Sequence, residues 1–290
     1  MRQKHGQNFL TDLNIANNII KAAGLIKEDE VLEIGPGKGV LTKIIQPLVK
    51  RLTTVEIDPI LAQQLKYYFS FNNINNVEIL NADFLKLQSD NNDEESVIAS
   101  GIENSAKQSG AVNSTFRFPL STLPFKVISN LPYNVGTAII QKILPLNNWT
   151  LCVLMLQKEV AHRLAAKQGT QDYGYISIFT QYYADCELLF DVSPRCFTPQ
   201  PKVVSSVIKL TNRRSPEPDK ILFDFIKHAF SMRRKTILNC VSTFKNLDKS
   251  QANQILITCG LEPLLRPGVL SISDFFRLTN EIKKYIIFQS

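Results

Sequence analysis

The chain has 290 residues, 44% of them hydrophobic, and a formal charge of +7; that is enough apolar material for one large domain and a small one. It opens Met1-Arg2-Gln3-Lys4-His5 with no apolar stretch behind it, and its longest apolar runs fall far short of the ~18 residues of a membrane span, so a soluble protein of the cytoplasm with no membrane partner is expected. Five cysteines without a Cys-x-x-Cys pair and three scattered histidines speak against a zinc site, a Ser/His/Asp triad and a disulfide framework, and no metal is expected.

Residues 12 to 24 read as a helix, and Val31 to Ile34 as a strand running into Gly35-Pro36-Gly37-Lys38-Gly39. Glycines at a strand-to-helix turn take positive φ and let the backbone approach a ligand closely. A dinucleotide-binding loop would put its third small residue at position 40, where Val40 stands. That spacing counts against NAD and fits the Glu-x-Gly-x-Gly-x-Gly form that holds S-adenosylmethionine, which has no pyrophosphate to cradle. The next strand, Leu52 to Ile57, contains Glu56, 21 residues beyond Gly35, where a carboxylate accepts both hydroxyls of a ribose. Asp58 points the same way by strand alternation and is the rival; Glu56 is preferred. A third strand, Val77 to Leu80, leads into Asp83, suited to accept from an adenine amino group, and Phe84, suited to lie beside the ring.

Residues 88 to 124 are rich in Ser, Asn, Asp, Glu and Gly and net acidic, which reads as a flexible insertion. The strand Phe125 to Ser129 then ends in Asn130-Leu131-Pro132-Tyr133. This string suits methylation of an amino group on a planar ring. Such a nitrogen is a poor nucleophile because its lone pair is delocalised, and a carboxamide oxygen together with a main-chain carbonyl can accept both its N–H bonds and draw it toward a tetrahedral shape. Pro132 holds Leu131 extended, which turns a carbonyl toward the substrate, and Tyr133 offers a face for stacking.

A strand at 150 to 157 follows, and Ala184 to Val192 with Val203 to Leu210 supply an antiparallel pair at the sheet edge. Strands alternating with helical segments predict a mainly parallel sheet covered on both faces. After the linker Ser215-Pro216-Glu217-Pro218, only helical patterning is found, at Ile221 to Phe230, Thr236 to Phe244 and Ser273 to Ile287, with Ser273 placed to cap the last. The division is therefore 1–213 for the sheet domain and 214–290 for a small all-helical domain. Residues 200 to 247 carry ten Lys or Arg against Glu217, Asp219 and Asp224. Arg213, Arg214, and Arg233, Arg234 and Lys235 on an expected helix form a candidate footprint for a phosphate backbone.

Taken in order, Gly6-Gln7-Asn8-Phe9-Leu10, the Gly35 loop, Glu56, Asp83, Asn130 to Tyr133, and Phe197-Thr198-Pro199-Gln200-Pro201-Lys202-Val203 resemble the ribosomal RNA adenine N6,N6-dimethyltransferases over nearly the whole chain. Phe230-Ser231-Met232-Arg233-Arg234-Lys235-Thr236 resembles the bacterial small-subunit, KsgA-type branch. The resemblance implies a Rossmann-like class I methyltransferase sheet of seven strands and S-adenosylmethionine as donor, contacted by Asn8, Leu10, Gly35, Gly37, Glu56, Asp83 and Asn130. It implies that Asn130, Leu131, Pro132, Tyr133 and Phe197 form the catalytic site, with Tyr133 and Phe197 sandwiching the target base. The implied partner is small-subunit ribosomal RNA in the immature 30S subunit, bound by a monomer. Two other readings stand beside it, a methyltransferase of large-subunit RNA or of a DNA adenine, and a non-catalytic RNA-binding assembly or transcription factor on the same scaffold.

Overall fold

The computed structural model describes residues 8–87, 124–146, 148–214 and 219–287. The expected insertion at 88 to 124, apart from Pro124, and the 215 to 218 linker lie outside the described residues. The chain divides into two compact units, Met1–Ala161 with Ala184–Asn212, and His162–Tyr183 with Arg213–Ser290.

The first unit is built on a sheet of seven strands. In chain order the strands of this unit are β1 (Phe9–Leu10), β2 (Glu30–Ile34), β3 (Arg51–Glu56), β4 (Val77–Asn81), β5 (Phe125–Asn130), β6 (Trp149–Gln157), β7 (Ala184–Val192), β8 (Phe197–Thr198) and β9 (Ser205–Asn212). The large sheet has the order β4-β3-β2-β5-β6-β9-β7. Pairs from β4 through β6 are parallel, and β9 runs antiparallel to both β6 and β7, so the expected antiparallel edge is present. The chain steps outward from β2 through β3 to β4, then returns to place β5 on the other side of β2. That reversal opens a crevice at the carboxyl ends of β2 and β5, the usual binding position in such sheets. The Gly35 loop and Asn130 both stand there.

Helix α1 (Leu13–Ala23) starts at Asp12, whose carboxylate accepts from the amides of Asn14 and Ile15, and stops at Gly24 in the left-handed region. Its buried face, Ala16, Ile19 and Ile20, packs with Val31 of β2, Leu52 of β3 and Val153 of β6, each large side chain contributing ~1.5–3 kcal/mol of apolar burial. Helix α2 (Val40–Ile45) joins this cluster through Leu41 and Ile45, and α3 (Pro59–Phe71) sets Leu65 and Phe69 against Ile79 of β4. Helix α4 (Gly136–Ile143) meets the opposite face. Leu156, which alternates with the clustered Val153 and Met155, approaches it so closely that a Cβ on Gly136 would stand 2.9 Å from Leu156 Cδ2. Helix α5 (Lys158–Leu164) follows β6. The short strand β1 pairs with β8, a contact that the sequence pattern does not announce.

The second unit is helical. It contains α6 (Tyr175–Tyr183), α7 (Lys220–Ser231), α8 (Ile237–Ser242), α9 (Lys249–Cys259) and α10 (Ile272–Ile287). Residues 162 to 183 fall with these helices rather than with the sheet of the 1–213 stretch, because aromatic packing holds them there. Phe179 and Tyr182 of α6 each lie 5.1 Å from the Phe223 ring of α7, and the Tyr173 hydroxyl donates to the Leu270 carbonyl at 3.0 Å. Helix α10 is capped by Ser271 instead of Ser273: the Asp274 amide donates to the Ser271 hydroxyl oxygen at 3.1 Å while the Ser271 amide donates to the Asp274 carboxylate at 2.8 Å. The acid three residues on favours this earlier start.

Candidate active site

A cavity of about 190 Å³ opens at the carboxyl ends of β2, β3, β4 and β5. Asn8, Leu10, Gly35, Gly37, Glu56, Asp83, Asn130, Leu131, Pro132 and Tyr133 all line it. Ten residues from five places in the sequence thus meet around one space.

The glycine loop forms its floor. Gly37 has φ +57° and its amide donates to Glu56 Oε2 at 2.9 Å, and a Cβ there would stand 3.0 Å from the Phe9 ring. Both the angle and the close approach demand glycine. The loop also lies against Pro132, whose Cδ and Cγ are 3.6 Å from the Cβ position of Gly35, so the glycine loop and the Asn130–Tyr133 string are neighbours. Lys38 sits 4.9 Å over the Phe9 ring, which helps hold β1 as a wall.

Glu56 is buried, and its two carboxylate oxygens accept from the backbone amides of Gly37 and Asp58, each at 2.9 Å. Burial pushes its pKa up, while these amide bonds pull it back. An oriented carboxylate with remaining lone pairs suits a pair of ribose hydroxyls. Asp58 is employed otherwise: it is the cap of α3, accepting from the amides of Ile60 at 2.8 Å and Leu61 at 3.4 Å. Asp83 caps the short 3-10 turn Phe84–Lys86 by accepting from Leu85. Lys142 of α4 steadies that turn by donating to the carbonyls of Leu85, at 2.8 Å, and Leu87, with its cation 5.6 Å from the Phe84 ring centre. Burial lowers the Lys142 pKa, and the Asp83 charge opposes the shift.

Asn130 closes β5. Its Nδ2 donates to the Asn8 carbonyl at 3.4 Å, which leaves the carboxamide oxygen as the accepting end. Leu131 is buried, with its amide donating to Met155. The Pro132 carbonyl accepts from the amides of Val135 and Gly136 at the start of α4, so the acceptor expected for a substrate amine is the Leu131 carbonyl and not that of Pro132. The Tyr133 hydroxyl is 2.6 Å from Ser205 Oγ on β9. Burial raises the phenol pKa and the Ser205 contact lowers it. The ring is therefore anchored at its far end, a role for Ser205 that no sequence signal announced.

Phe197 is not brought to the cavity. It is 2% exposed, stands opposite Leu10 in the β1–β8 pair, and packs in the core cluster with Leu10, Met155 and Val207. Glu33, the first residue of the Glu-x-Gly-x-Gly-x-Gly motif, is 1% exposed and lines the cavity, with Oε2 lacking a hydrogen-bond partner among the described residues. Among the described residues no group of three or more His, Cys, Asp or Glu could hold a metal ion, and no helix is long and apolar enough to cross a membrane.

A family model described as "Ribosomal RNA adenine dimethylase" matches residues 1–284. The chain belongs to this family. Two bacterial relatives are each named "Ribosomal RNA small subunit methyltransferase A". That of Alkaliphilus metalliredigens is 38% identical over 286 residues, covering 96% of this chain and 90% of the relative. That of Clostridium botulinum is 35% identical over 284 residues, covering 95% and 91%. The fold is also similar to the crystal structure of a dimethyladenosine transferase from Plasmodium falciparum, with a TM-score of 0.77 at 24% identity, over 95% of this chain and 98% of that one.

The second unit of this dimethylase carries the cations expected to meet RNA. Arg233, Arg234 and Lys235 are exposed, but on the turn between α7 and α8 instead of on a helix, since α7 ends at Ser231 and Thr236 caps α8. Arg233 Nη2 donates to the carbonyls of Thr170, at 3.2 Å, and Gln171, at 2.5 Å, so it fastens the 170–171 loop to the turn. Arg213 Nη1 likewise donates to the Gln181 carbonyl at 2.9 Å, and Arg214 is exposed with φ +51°.

Proposed function

We propose that the protein uses S-adenosylmethionine to dimethylate N6 of two adjacent adenosines in the 3′-terminal hairpin loop of small-subunit (16S) ribosomal RNA, within the immature 30S subunit, in the cytoplasm. The observation that carries this reading is the meeting of Asn130 to Tyr133 with the Gly35 loop, Glu56 and Asp83 around one cavity. A buried carboxylate fixed by two backbone amides, beside a floor that only glycine fits, suits a nucleoside, and the small-subunit name of the relatives supports the RNA.

S-adenosylmethionine supplies, when bound, an electrophilic methyl group on a sulfonium. The chain supplies position and electrostatics. Glu56 would take the ribose hydroxyls and Asp83 the adenine amino group, while Asn8, Leu10 and the Gly35 loop enclose the rest. The Asn130 oxygen and the Leu131 carbonyl accept the two N–H bonds of the target amine and draw it toward a tetrahedral shape. Tyr133, tethered to Ser205, presents its ring to a base turned out of its stack. Phe197 joins as the second face of the clamp only by leaving its buried position. No strong base is needed, because a nitrogen that has gained a methyl group is a strong acid and its proton leaves to water. Arg213, Arg214, Arg233, Arg234 and Lys235 are the proposed RNA footprint, with Arg233 acting through the 170–171 loop.

The test is incubation with methyl-labelled donor and undermethylated small or large ribosomal subunits. Label entering small-subunit RNA as dimethyladenosine is expected. Label in large-subunit RNA would favour the resistance-type reading, and no label in either would favour a non-catalytic factor.

A further inference from the structure

Four buried side-chain oxygens among the described residues lack a hydrogen-bond partner, and three of them, Glu33 Oε2, Thr42 Oγ1 and Thr54 Oγ1, belong to one neighbourhood. Glu33 stands on β2 directly beside Thr54 on β3 in the parallel register, and strand alternation turns both toward the face where α1 and α2 pack. Thr42 comes down from α2, and its hydroxyl favours the charged form of the Glu33 carboxyl without a hydrogen bond of good geometry to it. Of the three, Glu33 alone lines the cavity.

An ionised carboxylate that is 1% exposed, with one oxygen unpartnered, is far costlier than a neutral acid. Among the described residues no cation pairs with it. Lys38 of the glycine loop is turned onto the Phe9 ring at 4.9 Å and Lys43 of α2 onto the Tyr68 ring at 4.4 Å. The charged group that acts on it is Glu56 on β3, of the same sign. Of these two acids, Glu56 accepts from two backbone amides, which favour its charged form, whereas Glu33 Oε2 meets no donor among the described residues.

We propose that Glu33 is a binding residue for the cationic end of the methyl donor, neutral in the ligand-free protein, and that it gives up its proton as that end enters, so that donor binding releases a proton. This rests on the donor assignment above. The O–H bond of the acid breaks, its proton passes to buffer, and the carboxylate left behind faces a positive ligand, which favours its charged form. Burial, with the Glu56 charge adding and Thr42 opposing, pushes the free carboxyl up to about 8. Donor affinity therefore climbs with pH, by up to about tenfold per unit, until that value and then levels off.

Calorimetry of the full chain with S-adenosylmethionine at pH 7, in two buffers of different ionisation enthalpy, counts the proton. Release of most of a proton is expected for the wild type, none for adenosine, which has no cation, and near zero for Glu33→Gln with the donor. Donor binding without proton release, equal release on adenosine binding, or undiminished release from Glu33→Gln would each overturn the proposal and leave the donor assignment standing. No binding heat from S-adenosylmethionine under any condition would overturn both. If Glu33→Gln does not fold, the comparison of donor with adenosine on the wild type still decides.

Discussion

Gly37→Ala and Gly24→Ala separate the strain of a backbone angle from the closeness of a wall. Both glycines are left-handed, at φ +57° and +51°. An alanine in that region costs about 1–2 kcal/mol, and restriction of the unfolded chain returns about 0.4–1 kcal/mol. At Gly24, which ends α1, nothing lies within 4 Å of a new Cβ, so the net loss there is about 0.5–1.5 kcal/mol. At Gly37 the Phe9 ring carbons stand 3.0 and 3.1 Å from the new atom. The ring is held by the β1–β8 pairing and by Lys38, and forcing it aside adds about 0.5–1.5 kcal/mol. At roughly 2–4 °C per kcal/mol for a chain of this class, Gly37→Ala lowers Tm by roughly 2–12 °C and Gly24→Ala by roughly 1–6 °C. Only the first disturbs the Gly37–Glu56 bond, so only the first weakens S-adenosylmethionine binding, by about fivefold or more. Thermal scans and calorimetric titrations read both quantities. Indistinguishable Tm and Kd changes in the two variants would refute the claim that the glycine floor is shaped by its contact with Phe9.

Three further outcomes are expected. Asn130→Ala lowers kcat for methyl transfer by about 10²–10³, the loss typical of a polar group that acts in the transition state, while donor Kd stays within a few-fold; an equal loss of affinity would make Asn130 a donor contact first. Tyr133→Phe and Ser205→Ala each remove the 2.6 Å tether and leave the ring, so each reduces kcat several-fold and the double variant is no worse than either, as a shared interaction requires; additive losses in a double-variant cycle would separate the two roles. Arg234→Ala with Lys235→Ala flattens the salt dependence of RNA binding by about one unit or more of slope without changing Tm, whereas Arg233→Ala also lowers Tm by releasing the 170–171 loop. A salt slope unchanged by the first pair would remove the turn from the RNA footprint.

Most of the sheet was legible because its strands are short apolar runs closed by residues with special backbone demands. Gly35, Gly37, Asn130 and Pro132 end strands at the crevice, and their chemistry is local. What escaped depends on partners distant in the chain. The pairing of Phe9–Leu10 with Phe197–Thr198 joins two dipeptides too short to show any periodicity, and it is this pairing that buries Phe197. Residues 162 to 183 lie within the 1–213 stretch expected for the sheet domain, although the aromatic side chains of α6 belong with Phe223 and Phe276. Arg233 to Lys235 continue the helical composition of α7, but Met232 already leaves helical angles at φ −113° and ψ 38°. Glu56 and Asp58 point the same way by alternation, and what the sequence does not show is that Asp58 is engaged in capping α3. Glu33 shares its motif with three glycines, and its burial without a partner is a property of the fold that the local sequence does not encode.

The central claim, that this cavity seats a sulfonium donor facing Asn130, is tested most directly by a crystal structure of the protein with S-adenosylmethionine. The ribose hydroxyls are expected within hydrogen-bond distance of the Glu56 carboxylate, the adenine amino group at Asp83, and the transferable methyl directed toward the Asn130 carboxamide. A donor seated with its ribose on Asp58, or with its methyl turned away from Asn130, would contradict the account.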